Sequence, residues 1–74
     1  MREKIKTIMK SVFELPDIPD DISMDNCEQW DSLHHLSLVI ELEALFNVSF
    51  KLQDTVKMKN LEAIENVLKN KNII

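Results

Sequence analysis

The sequence predicts an all-α domain, a four-helix bundle with a long loop between helices 1 and 2 and a short third helix. Three windows carry apolar residues at helical spacing, a Pro- and Asp-rich stretch separates the first two, and no segment sustains the alternation of a strand. Apolar residues make up 45% of the 74, enough for one helical core. The chain is read as a single domain, residues 1–74. At this size only about 60% of the surface is buried on folding, which leaves room for a core but hardly for an enclosed active site.

Ile5, Ile8, Met9, Val12 and Phe13 follow the i, i+3, i+4, i+7, i+8 pattern and predict a first helix from about Arg2 to Leu15. Pro16 stops it, because the residue before a proline is pushed out of helical dihedrals. From Pro16 to Gln29 the composition shifts to turn formers, with Asp17, Asp20, Asp21 and Asp25 among them. So long a loop in so small a domain must be held down, and Ile18, Ile22 and Met24 are its expected anchors. Trp30 closes it.

The run from Trp30 to Phe50 is the longest periodic apolar segment. Asp31 stands where an N-cap belongs, able to accept a backbone N–H of the first turn, and Ser32 falls at the first helical position with its hydroxyl toward solvent. At about 100° per residue, Leu38, Val39, Leu42, Leu45 and Phe46 share one broad stripe, the expected core face. Leu33, Leu36, Ile40 and Ala44 gather on nearly the opposite side. That second stripe either lies under a flanking loop or is left for a partner.

The chain contains no glycine, so its helices must end on other residues. Asn47 is the expected C-cap of helix 2, since asparagine tolerates the left-handed conformation that glycine usually fills. Val48 and Phe50 read as a connecting segment that tucks two side chains inward. A short third helix is expected over Gln53–Lys57, with only Val56 and Met58 to bury. Asn60 then caps a last helix in which Leu61, Ile64, Val67 and Leu68 recur at helical spacing, ended by Asn70 and Asn72, with Ile73 and Ile74 as a tail.

The formal net charge of −4 and pI near 5.0 repel nucleic-acid phosphates and suit partners with basic docking surfaces. No span approaches the roughly 20 apolar residues of a membrane helix, and Arg2, Glu3, Lys4 and Lys6 mix charges where a signal peptide would be basic and then apolar. The expected compartment is the cytoplasm. Cys27, the one cysteine, excludes an internal disulfide framework.

Ser32, His35 and Asp31 are the residue types of a catalytic triad, but the sequence offers no glycine-containing oxyanion loop and too little chain for a pocket. His34 and His35 diverge by about 100° on a helix and do not easily share a metal ion with Cys27. His35 falls toward the core side, where a half-buried ring needs a hydrogen-bonding neighbour, and His34 toward solvent. Neither catalysis nor metal binding is expected.

Trp30-Asp31-Ser32-Leu33, the amphipathic helix after it and Phe46-Asn47-Val48-Ser49-Phe50 resemble an acyl carrier protein of the phosphopantetheine-binding family. The resemblance covers nearly the whole chain, since an earlier helix, a long loop and two later helices fall where that family places them. It implies a bundle of acyl-carrier-protein type and a 4'-phosphopantetheine group on Ser32, within the tripeptide Asp31-Ser32-Leu33, transferred from coenzyme A by a separate phosphopantetheinyl transferase. The arm would carry acyl or aminoacyl groups as thioesters between a loading ligase or transferase and downstream biosynthetic enzymes. Leu36 and Ile40 are implied to face those partners, with Met58 and Glu41 on the same side, and hydrophobic cargo would lie against or between helices 2 and 3, lined by some of Leu36, Ile40, Val56 and Met58. A monomer is expected.

Two departures narrow the reading. His34, His35 and Ser37 occupy a turn that is usually acidic in carriers of fatty acid synthesis, and Gln29, Trp30 and Asp31 stand where peptidyl carriers have glycine and histidine before the serine. A stand-alone carrier for a dedicated fatty acid, polyketide or specialised lipid pathway fits these departures, with a peptidyl or aminoacyl carrier as the near alternative. The rival from another class is a small helical interaction module without a prosthetic group.

Overall fold

The computed structural model describes residues 1–74 and contains four helices, α1 (Arg2–Phe13), α2 (Ser32–Phe46), α3 (Leu52–Lys57) and α4 (Leu61–Asn70), with no strand. The fold is all-α. Its single core unites thirteen buried residues drawn from α1, the first loop, α2, the α3–α4 connection and α4.

Helix α1 buries Ile5, Met9 and Phe13. It ends two residues before the expected Leu15, because the chain must already have left the helix at the residue before Pro16. Glu14 makes the exit in a left-handed conformation (φ 55°, ψ 43°), and the Leu15 N–H returns to the Lys10 carbonyl at 3.1 Å. The first loop then dips Ile18 and Ile22 fully into the core and Met24 partly.

Side-chain anchoring is only half of what holds that loop. The Met24 N–H donates to the Lys59 carbonyl at 3.0 Å, and the Leu61 N–H donates to the Ile22 carbonyl at 3.3 Å. Ser23 and Asn60 thus form an isolated antiparallel bridge, which ties the loop to the segment just before α4. Hydropathy carries no trace of such a pairing, since it uses backbone groups alone. Asp20 adds ion pairs to Lys6 and Arg2, and Arg2 also grips Glu65 of α4.

The fifteen residues of α2 span about 22 Å. Leu38, Val39 and Leu42 are buried as the periodicity predicts, and Phe46 is half-buried. Leu45, expected on that face, is 44% exposed. It stands at the edge of the stripe, in the last turn of the helix. Asn47 closes the helix in the left-handed conformation (φ 54°, ψ 52°), and Val48 donates to the Glu43 carbonyl at 3.1 Å. Glu43 is no idle surface charge, since its Oε2 accepts the Phe50 N–H at 2.8 Å and holds the connection to α3 in place.

Helix α3 buries none of its own residues. Polar ties hold it: the Asp54 carboxylate accepts the Lys51 N–H at 3.0 Å and pairs with Lys71, beyond the end of α4, at 2.9 Å. Met58, expected on the partner-facing surface, is fully buried, which corrects that reading. The chain turns at Met58 between α3 and α4, and the turn points this side chain inward while leaving Val56, expected to be buried with it, 59% exposed.

Asn60 caps α4 as expected, its Oδ1 accepting the Ala63 N–H at 2.7 Å, and Leu61, Ile64, Val67 and Leu68 are buried. Ile73 and Ile74 are not a free tail but pack partly against the core. No helix is long and apolar enough to cross a membrane.

Candidate functional site

Asp31 sets the geometry at the start of α2. Its backbone is extended (φ −95°, ψ −175°), and Oδ1 accepts the His34 backbone N–H at 2.9 Å. The same oxygen lies 2.7 Å from Nδ1 of His34. A carboxylate only accepts, so the His34 ring carries a hydrogen on Nδ1. The backbone N–H of His34, followed by its ring N–H, holds the Asp31 carboxyl below the ordinary aspartate range. Ser32 is the first residue of the helix and is exposed.

Behind Ser32 the helix start is fixed by aromatic packing. Trp30 is 2% exposed, and its ring centre lies 5.3 Å from that of Phe13, at the end of α1, and 6.0 Å from that of His35. Its indole N–H donates to Nδ1 of His35 at 2.9 Å, so that nitrogen must present a lone pair. The hydrogen of His35 is therefore on Nε2, which donates to the Thr55 carbonyl of α3 at 2.9 Å. That carbonyl belongs to the last turn of α3, where it also accepts the Met58 N–H at 3.3 Å. Adjacent histidines thus donate from different ring nitrogens: His34 clamps the cap, and His35 joins the end of the first loop, α2 and α3.

This arrangement does not assemble a Ser-His-Asp relay. Both nitrogens of His35 are engaged away from Ser32, and the imidazole on Asp31 is that of His34. His35 takes the half-buried, hydrogen-bonded place expected of it. His34 is only partly solvent-facing, with its ring centre 6.4 Å from Phe13.

Beginning beside Ser32, the second stripe of α2 is uncovered: Leu33, Leu36 and Ile40 are 71%, 57% and 54% exposed, and Glu41 is exposed as well. No loop folds over it. On α3, Leu52 and Val56 are also exposed. Leu52 escaped the sequence reading because nothing in Lys51-Leu52-Gln53 distinguishes an outward leucine from an inward one. Thr55 escaped it as well, since it contributes a backbone carbonyl, which every residue has. Two open cavities, of about 360 and 230 Å³, lie along the first loop, one against Leu15, Ile22 and Cys27 and the other between Asp20, Asp21, Asn60 and Glu62. Neither is lined by a residue of α2 or α3.

A scan against protein-family models finds no match to this chain, and a search of curated proteins finds no matching relative.

Proposed function

We propose that this chain is a stand-alone acyl carrier protein whose Ser32 carries a 4'-phosphopantetheine arm. The observation that carries the reading is the exposed serine at the first residue of α2, directly beside an uncovered apolar stripe. Loading by a separate transferase needs a primary alcohol that reaches into another protein's active site, and a helix start after a long loop offers one. In that step Ser32 Oγ bonds to the phosphorus that bears the pantetheine arm of coenzyme A. The bond from that phosphorus to the adenosine bisphosphate breaks, and a base of the transferase takes the serine proton. Once bound, the arm supplies a terminal thiol that holds an acyl or aminoacyl group as a thioester.

The residues around Ser32 fit such a group. Asp31 and His34 hold the first turn so that the serine stays at the helix tip, and the positive end of the α2 dipole suits a phosphodiester. Leu36 and Ile40, with Glu41 beside them, offer apolar contact and one charge to partner enzymes. With His34 and Ser37 in the first turns instead of carboxylates, that surface is less acidic than a general fatty acid carrier requires, which favours a dedicated pathway and its own loading enzyme. On this reading the chain is not itself an enzyme, works in the cytoplasm as a monomer and has the carrier type of four-helix bundle.

The test is intact mass after incubation with coenzyme A, magnesium and a broad-specificity phosphopantetheinyl transferase, with Ser32→Ala alongside. A gain of one phosphopantetheine on the native chain and none on the folded variant is the expected result. A folded native chain that stays bare with several such transferases overturns the reading and leaves the exposed stripe as the mark of an interaction module.

A further inference from the structure

We infer that the carried group is a short or polar acyl unit kept outside the bundle, because His35 clasps α2 to α3 across the seam beside Ser32. The inference rests on the carrier reading of Ser32. Of the walls that flank the start of α2, the one toward α1 is closed: these two helices approach closely, and Phe13 packs on Trp30 and His34 at their common end. Helix α3 is different. It buries no residue of its own and approaches α4 more closely than α2, so it is the one helix that can move without uncovering its own buried side chains.

The seam between α2 and α3 is therefore a mechanically weak entrance, and the bond from His35 Nε2 to the Thr55 carbonyl lies across it. Trp30 holds the other ring nitrogen, so His35 cannot turn aside without leaving a buried indole N–H unpaired. Behind the seam, Leu38, Leu42, Met58, Leu61 and Ile64 are wholly buried, and the cavities lie elsewhere, along the first loop. A chain forced inward would have to break the clasp and displace close-packed side chains as well. A group of a few carbons gains too little burial for that, and a polar one gains none. Outside, Leu36 and Ile40 can shield a few methylenes but present no groove deep enough to swallow a long chain.

The experiment loads the full chain from acetyl-, butyryl-, octanoyl- and dodecanoyl-coenzyme A with a broad-specificity transferase. Core and surface methyl signals are followed by NMR, together with thioester cleavage by hydroxylamine. The expected result is that Leu38, Leu42 and Met58 keep their shifts in all four forms, with changes confined to Leu36, Ile40 and Val56. The octanoyl thioester should be cleaved as fast as the acetyl one. His35→Leu, which removes both bonds of the clasp, should let the octanoyl form move the core methyls. Core shifts in the native octanoyl form, or cleavage slowed by about tenfold or more relative to acetyl, overturn the inference and leave the carrier reading intact. A folded chain that no transferase loads overturns both. The native measurements decide the matter if His35→Leu does not fold.

Discussion

Asp31 caps α2 and orients His34 with a single carboxylate oxygen, so the helix start that presents Ser32 depends on its charge. Its pKa is lowered in the folded state, chiefly by the His34 backbone N–H. A group with a depressed folded pKa contributes stability above its unfolded value, and that contribution is lost as pH falls from there through the folded one. Asp20, Asp54 and Glu65 are lowered by their own partners, chiefly Lys6, Lys71 and Arg2, and add to the same acid loss. Asp31→Asn keeps a capping oxygen but removes the titration. Urea melts should therefore show a shallower loss of stability in the variant than in the native chain as pH drops below the ordinary aspartate range. Parallel curves would mean that Asp31 acts through its shape alone.

Without glycine, the chain turns out of its helices on residues that have a Cβ. Three residues take positive φ: Glu14 after α1, Asn47 after α2 and Asn72 after α4. In each case the following N–H reaches back to a carbonyl of the last turn, from Leu15 to Lys10, Val48 to Glu43 and Ile73 to Leu68. Asparagine visits this region readily, whereas glutamate pays the steric cost of its longer side chain. Glu14→Gly should thus raise stability by about 0.5–1 kcal/mol, read as a higher urea midpoint at unchanged slope. Asn47→Gly should change it less. A loss on Glu14→Gly would show that its side chain makes a contact worth more than the strain.

The Cα radius of gyration, 11.1 Å, is close to the roughly 11.3 Å expected for a folded chain of this length. Total stability for 74 residues is on the order of 4–11 kcal/mol, so one core cavity is a large fraction of it. Met58→Ala should cost about 2–5 kcal/mol in chemical unfolding. Ile40→Ala, on the uncovered stripe, should stay within about 0.5 kcal/mol. Similar losses at both positions would mean that the stripe is part of the core. Equal tolerance would mean that Met58 is not packed as the structure has it.

The helices, their order and the place of Ser32 follow from the sequence alone, because hydrophobic spacing and capping act over a few residues and are written locally. Ile5, Met9 and Phe13 share a face by spacing, and Asp31 and Asn60 announce helix starts by chemistry. Tertiary structure decided what no local pattern holds. Leu45 and Leu38 lie on the same predicted stripe, yet burial depends on which neighbours reach that turn. The resemblance puts Met58 beside the partner-facing Leu36 and Ile40, but the turn between α3 and α4 carries it inward. The Ser23–Asn60 bridge and the His35–Thr55 bond use backbone groups common to every residue, so only the folded chain shows which pair meets. For the same reason the sequence marks the serine at the helix start, whereas the clasped seam beside it belongs to the fold.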